Sequence, residues 1–447
     1  MDNIDLNEFL DLAKESYKIE PSLFENYKVK RGLRNADGTG VLAGLTSIGE
    51  VRGYIIDDSE KVPVAGKLMY RGVNVNKIIK NSLAEKRPSF EEAAFLLLFG
   101  KLPNKDEYNK FSKLLGDMRT LPVGFNEDII MKTPCRDIMN KLARSVLSLY
   151  SYDKSPEDSS IENLLRQSIE LISRMGTIVA YSYHARRHYF DNQSLYIHPP
   201  KPEDSTAQNF LHLINPNDDF TPEEAELLDI ILTLHAEHGG GNNSAFSCRV
   251  ISSTGTDTYS AIGAAICSLK GPRHGGANKA VLDMMDDIKA NVKDWSNEGE
   301  LADYLRKIVN KQAGNKSGLI YGMGHAVYTI SDPRAILLKE KAQEMAEKKG
   351  FLDEYKLYTL IEELSPEILC ERMGVKKAIC ANVDLYSGFV YQMLGIPSEL
   401  YTPLFAVARI VGWCAHRIEE VLTSGKIIRP AYKSVCERKE YIPMEDR

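Results

Sequence analysis

The chain of 447 residues lacks most of the features that would assign it quickly. Its seven cysteines, at 135, 248, 267, 370, 380, 414 and 436, are scattered and odd in number, with no CxxC pair. That excludes a disulfide framework and a zinc knuckle and suits a reducing compartment. No uninterrupted apolar run approaches the roughly 18–20 residues that cross a bilayer. There is no basic excess: 56 Lys and Arg stand against 62 Asp and Glu, a net charge of −6, which excludes a general binder of nucleic acid or of membrane surfaces. The opening MDNIDLNEFLDLAKESYKIE is acidic and has no apolar h-region, so neither a signal nor a transit peptide is expected, and a cytoplasmic location is. No internal repeat, low-complexity tract, P-loop, dinucleotide fingerprint or Ser/Cys nucleophile constellation is found. What remains is an ordinary globular composition, 43% apolar and 26% charged, long enough for two or three domains and a large core.

The organisation is mainly helical. Strand-like text is confined to 44–58 and 62–75; from about residue 77 the apolar residues recur at helical spacing between short Gly/Pro/Asn turns. SFEEAAFLLLFGKLP (89–103) reads as a helix with a Ser89/Glu92 capping box, closed by Gly100. TPEEAELLDIILTLHAEHGGG (221–241) repeats that grammar with Thr221, Pro222 and Glu224, buries a face of Leu227, Ile230, Ile231 and Leu234, and is expected to stop at its glycines. The stretch 258–271 is rich in Ala and Gly, and 398–425 is long and largely apolar. Pro/Gly joints near 271–278 and 395–397 bracket a segment that could be a second domain.

Several residues in this text could carry chemistry. His274, in GPRHGGAN, stands just ahead of a helix whose Val281, Met284, Met285 and Ile288 share a face. A helix N-terminus disfavours imidazolium, so the ring would stay neutral and could donate to a developing oxyanion; a histidine in a tight interhelical turn is the alternative. His325, in YGMGHAVY, is a second glycine-flanked histidine, with an incidental turn residue as its plain reading. HAEH (235–238) puts two histidines at i, i+3, but the spacing is not HExxH and no third ligand stands near, so substrate binding or capping by His238 is favoured over metal. Asp384, in NVDLYSG, reads first as a helix N-cap; partly desolvated, it would have a raised pKa and serve as a general base. Arg409 lies in the apolar LFAVARIVGW and needs an anion, from protein or ligand, to offset several kcal/mol of desolvation, on the order of the effective penalty for one ion. Arg334 and Arg429, each beside a proline, suit bidentate carboxylate binding, although a structural salt bridge is the default for each. Together these groups suit abstraction of a proton next to a carbonyl and attack of the enolate on a second, dicarboxylate carbonyl compound.

At these motifs the chain resembles the citrate synthase family. LHAEHGGGNNSA, GPRHGGANKAV, GMGHAVYTISDPRA, NVDLYSGFVYQMLGIP and FAVARIVGWCAH…KIIRP occur in that family's order, and YRGVNVNKIIKNSLAEKRPSFEEAAFLLLFGKLP resembles its N-terminal segment; the likeness covers roughly 65–432. It implies a two-domain helical homodimer with a small β element near the N-terminus: a large domain of 1–278 with 392–447, and a small domain of 279–391. It implies that Asp384 takes a proton from acetyl-CoA, that His274 stabilises the enolate and that His325 polarises the oxaloacetate ketone. His238, Arg334 and Arg409 would bind oxaloacetate, with Arg429 reaching in from the partner subunit. Lys316, Leu319, Ile320, Gly322 and Gly324 would border CoA. No metal or redox cofactor is implied, and no nucleic-acid or membrane partner.

The sequence also departs from the pattern. Glu237 replaces the commoner aspartate of HxDH, Gly239 replaces an acidic residue that often follows, and Ala326 and Thr329 stand where many members carry basic residues near the CoA phosphates. A 2-methylcitrate synthase using propionyl-CoA is the close alternative, since one methylene is worth only ~1–3 kcal/mol. A catalytically silent helical dimer and a metal-dependent hydrolase built on HAEH are alternatives of other classes.

Overall fold

A computed structural model describes residues 7–57, 60–423 and 425–447. Residues 1–6 of the acidic start, Asp58 of the strand-like stretch and Ser424 in the long apolar segment therefore lie outside the described residues. Contacts divide the chain at Leu45/Thr46. The first unit contains two short helices, Asn7–Ser16 and Pro21–Asn26; the second contains everything discussed below.

The β text forms one antiparallel sheet in the order β1 (Gly49–Asp57), β2 (Glu60–Tyr70) and β3 (Val73–Asn74). Its register runs Gly49↔Tyr70 to Arg52↔Lys67 and then slips between Arg52 and Tyr54, where Gly53 alone stands opposite residues 64–66 and the bulge is on β2. Among the described residues everything after Asn74 is helical or connecting chain, apart from one isolated bridge between Met323 and Ala381. Asn74 caps the first of these helices, Val75–Ala84, by accepting the Asn76 N–H.

Helix Pro222–His235 has the expected box, with Thr221 Oγ1 accepting Glu224 N–H and Glu224 reciprocating. It ends at His235 rather than at the glycines, so Glu237 and His238 sit on the turn that follows. The box expected at Ser89/Glu92 does not form. Asp229, from the middle of helix Pro222–His235, reaches across instead and accepts the Ser89 and Phe90 N–H groups and the Ser89 hydroxyl, while Glu92 turns to Ser82 and Arg87. A carboxylate from a neighbouring helix satisfies the same orphan donors and fixes the packing of the two helices as well.

The core gathers around helices Ile161–Asp191 and Tyr401–Thr423, the latter buried from Pro403 to Ile418. The Ala/Gly-rich helix Thr258–Lys270 packs closely enough that a Cβ on Gly263 would lie 3.1 Å from Leu147. No helix among the described residues is long and apolar enough to cross a membrane.

Candidate active site

Helix Tyr401–Thr423 passes beneath the turn 236–241, and Arg409 points from it into the interior, 1% exposed. Its Nε donates to His235 O at 2.5 Å and its guanidinium lies 4.8 Å from the Phe405 ring centroid. Among the described residues neither Nη1 nor Nη2 has a partner. Burial lowers its pKa to about 10, opposed by the charge of Glu237. The anion that the sequence demanded for Arg409 is therefore not a protein carboxylate in contact with it.

Two further unpaired groups open on the same region. His238 Nε2, and both ring nitrogens of the buried His235, lack partners among the described residues. Desolvation first, and then the charge of Arg334, holds both rings well below the usual histidine pKa, so both are neutral. His238 meets His325 edge to face at 5.2 Å between centroids, and Tyr328 stacks on His325 at 4.7 Å.

His325 is oriented by its own loop. Its Nδ1 accepts the backbone N–H of Val327 at 3.0 Å and of Tyr328 at 3.1 Å. Two donors on one nitrogen require that nitrogen to be bare, so the hydrogen-bond pattern assigns the proton to Nε2. The outer nitrogen is then a donor.

Arg334 follows a few residues later. It is paired with buried Asp332 through Nε (3.0 Å) and Nη2 (2.7 Å), and Asp332 also caps its helix, Pro333–Lys349. The salt-bridge reading of Arg334 thus holds, and its charge still lowers the pKa of Asp384, His235 and His238.

Asp384 does not cap its helix. Asn382 does, accepting the Asp384 N–H at 2.9 Å, and Asp384 sits in the first turn of Val383–Met393 with its carboxylate left over. Burial raises its pKa to about 6, with Arg334 and Arg409 pulling it down and Asp332 pushing it up. A carboxylate with that pKa is ionised at neutral pH and basic enough to accept a proton.

His274 sits in the turn before helix Ala277–Asn291, as read from sequence. Burial, and then the Arg409 charge, lowers its pKa to about 4, so the ring is neutral. Its Nε2 lies 3.1 Å from Ser244 Oγ, which also receives the Trp413 indole N–H at 3.1 Å and lies 2.8 Å from Asn242 Oδ1. The single hydroxyl proton goes either to Asn242 or to His274, and that choice sets which imidazole nitrogen is a donor. Ser244 was missed from sequence because only the fold brings it to His274, 30 residues away.

A second buried network adjoins this chamber. Glu237, 0% exposed, accepts the Gly239 N–H and the His416 Nε2–H (2.9 Å). His416 Nδ1 in turn receives Arg249, at 2.7 Å from Nη2. Arginine only donates, so His416 is the neutral link. Arg249 is closed off by Glu420 at 2.8 Å and by Glu419.

Arg429 is not brought into the chamber; it is exposed on the C-terminal segment. Lys316 and Leu319 are exposed, Ile320 is buried, and Gly322 and Gly324 have φ of 83° and 86°. A Cβ on Gly322 would stand 2.9 Å from Leu385, so this glycine lets the loop lie against the Asp384 helix. Among the described residues no three His, Cys, Asp or Glu side chains gather as a metal site.

The fold is mainly helical, and it gathers neutral buried histidines, the Asp384 carboxylate with its raised pKa and an arginine with two unpartnered nitrogens. The protein-family model for "Citrate synthase, C-terminal domain" matches residues 36–431, and the chain belongs to the citrate synthase family, making it an acyltransferase. Citrate synthase of Synechocystis is 35% identical over 86% of this chain and 88% of its own length. 2-Methylcitrate synthase 1 of Corynebacterium glutamicum is 31% identical over 94% and 99%. Among solved structures, the ternary complex of carboxymethyl coenzyme A and oxaloacetate with the citrate synthase of Thermoplasma acidophilum superposes with a TM-score of 0.76, at 28% identity, over 94% of this chain and 99% of that one.

Proposed function

We propose that this enzyme condenses acetyl-CoA with oxaloacetate and hydrolyses the citryl-CoA so formed to citrate and CoA. The observation that carries this reading is the pair of uncommitted buried donors on Arg409, Nη1 and Nη2, beside the unpartnered His238 Nε2. Buried polar groups are otherwise hydrogen-bonded, and a guanidinium most of all, so the chamber calls for a small polyanion rich in acceptors. Oxaloacetate supplies two carboxylates and a ketone.

In the proposed sequence Asp384, ionised above about pH 6, takes a proton from the acetyl methyl group. The electrons move onto the thioester oxygen, where neutral His274 donates a hydrogen bond. His325 Nε2–H donates to the oxaloacetate ketone, the enolate carbon attacks the ketone carbon, and the new alkoxide takes the proton. Water then cleaves the thioester, releasing citrate and the CoA thiol. His238, Arg334 and Arg409 bind oxaloacetate, and the partner subunit's Arg429 completes the carboxylate contacts in a homodimer. Residues 279–391 form the small domain that carries His325, Arg334 and Asp384 toward His238, His274 and Arg409. Lys316, Leu319, Ile320, Gly322 and Gly324 border the CoA.

The 2-methylcitrate synthase relative favours a second reading, with propionyl-CoA as the donor. Release of free CoA thiol from purified protein supplied with oxaloacetate separates the two. The proposal expects a higher kcat/KM with acetyl-CoA than with propionyl-CoA; the reverse order moves the assignment, and no thiol with either acyl-CoA removes both.

A further inference from the structure

The β-hairpin has no part in the chemistry above, yet it touches both turns that carry substrate-facing histidines. On one side a Cβ on Gly49 would lie 2.8 Å from Glu237 Cγ, Val51 Cγ2 would lie 3.2 Å from a Cβ on Gly239, and the Tyr70 hydroxyl donates to Thr233 O at 2.8 Å. On the other side the hairpin backbone meets the backbone of the His325 loop. A Cβ on Gly53 would stand 2.5 Å from Val327 O and 3.0 Å from Tyr328 Cα. One on Gly66 would stand 2.1 Å from Ser331 O and 2.7 Å from Tyr328 Cδ1. Gly66 N–H donates to Ser331 Oγ at 3.1 Å, and Tyr328 OH donates to Lys67 O at 3.4 Å.

Neither Gly53 nor Gly66 has positive φ, so both are there for space rather than for a special backbone conformation. Gly53 also lies at the register slip, opposite the bulged residues 64–66 of β2, and Gly66 is one of those bulged residues. The residues they press on, Val327 and Tyr328, are the two whose N–H groups converge on His325 Nδ1.

We propose that the hairpin is the positioning device for His325: the side-chain-free surface at Gly53 and Gly66 holds the Val327 and Tyr328 amides against Nδ1, and so keeps the proton on Nε2. The hairpin residues act through His325 and touch no reacting atom. The proposal rests on the reading that His325 polarises the ketone. A methyl group at 53 or 66 pushes the 327–331 backbone away, the amides leave Nδ1, and the ring loses both its orientation and its fixed tautomer. Misplacement of a catalytic group by about 1 Å costs on the order of 10²-fold in rate.

The test compares Gly53→Ala and Ser331→Ala with His325→Gln, reading thermal midpoint, kcat, KM for oxaloacetate and the ring ¹⁵N shifts of His325. Gly53→Ala is expected to fold and to lose about 10²-fold in kcat, with the ring nitrogens departing from the Nε2–H pattern. Ser331→Ala, which removes one hydrogen bond from hairpin to loop, is expected to lose about fivefold with a smaller shift of the same sign. If Gly53→Ala does not fold, Ser331→Ala decides. Loss of rate with an unchanged His325 signature marks ordinary packing and overturns the proposal, as does wild-type kcat in a folded Gly53→Ala. Wild-type turnover in His325→Gln removes the catalytic reading of that histidine instead; the ¹⁵N signature of Gly53→Ala still decides whether the hairpin holds the ring.

Discussion

Arg249 and Arg409 are both buried, Arg409 on helix Tyr401–Thr423 and Arg249 packed against it from helix Asn243–Ser252, but they are treated in opposite ways. Arg249 is saturated: Glu419, Glu420, His416 and Thr46 take its donors, and the network runs on through His416 to Glu237. Arg409 gives one hydrogen bond to a carbonyl and holds two nitrogens without partners. A closed charge cluster holds the turn 236–241; in the proposed function the open one beside it is completed by oxaloacetate. On the proposed function the same residue type serves architecture in one position and recognition in the other, and the difference is visible only in the count of satisfied donors.

The largest effect that would test this division comes from the open cluster. Asp384→Asn is expected to lower kcat by about 10²–10⁴-fold, the range for loss of a general base, while oxaloacetate binding by calorimetry stays near wild type. Loss of binding as large as the loss of rate would remove the general-base role. The same substitution is expected to stabilise the fold. The folded pKa of about 6 lies above the ordinary 3.8, so burying the carboxyl weakens the folded state increasingly as pH rises from about 4 to 6, and fully above 6. Two pH units at 1.36 kcal/mol each put the gain for Asn at pH 7 at roughly 3 kcal/mol at most. Thermal midpoints at pH 4 and pH 7 check this: the variant's advantage should appear only at the higher pH.

Exchanging the two arginines for apolar side chains is the next sharpest comparison. Arg249→Met leaves Glu419 and Glu420 without their cation and is expected to cost about 3–5 kcal/mol of stability. Arg409→Leu removes a charge that has no contacting counter-ion, so stability should hold or rise. KM for oxaloacetate should rise about 10–150-fold, the equivalent of about 1.5–3 kcal/mol for lost charged hydrogen bonds. Equal destabilisation by the two substitutions in a denaturant titration would end the comparison.

A smaller effect is the pH profile of the wild type. As the proposed base Asp384 acts only when ionised, so kcat/KM should fall about tenfold per pH unit below about 6. His274, with its pKa near 4, remains neutral through that window and adds no second limb until then. A limb lying near 4 instead of 6 would place the essential carboxylate elsewhere.

The open cluster was far more legible in the sequence than the closed one. His274 and His325 announce themselves by flanking glycines, and Arg409 by standing in an apolar helix, so a reader of text finds them one at a time. The closed network leaves no such trace: Arg249 and His416 are 167 residues apart, and each alone looks like an ordinary helical residue. Caps misled in the same way. Ser89 and Asp384 both have cap-like surroundings, yet Asp229 and Asn382 do the capping, because a better acceptor arrived from another helix in one case and from two residues upstream in the other. The sheet could be placed from sequence, but its contacts with the His325 loop depend on backbone proximity that no residue pattern encodes.

The smallest effect concerns the seam between the two clusters, at Ser244. Its hydroxyl bridges the Trp413 indole, which lies on the Arg409 helix, to His274 in the chamber. Ser244→Ala removes the group that decides which His274 nitrogen carries the proton and leaves the buried Trp413 N–H without its acceptor. The ring then holds both tautomers. If they differ little in energy, only part of the enzyme has the productive donor, and one net hydrogen bond is lost, about 1 kcal/mol or roughly fivefold. The loss should fall on kcat, because in the proposed mechanism His274 meets the acyl-CoA oxygen and not oxaloacetate, so KM for oxaloacetate should stay near wild type. Ser244→Thr keeps the hydroxyl and should recover most of the rate if the methyl group is accommodated. A rise in oxaloacetate KM with kcat unchanged would instead assign Ser244 to the closed cluster that holds the turn, and would move the boundary between the two clusters to the His274 side of its hydroxyl.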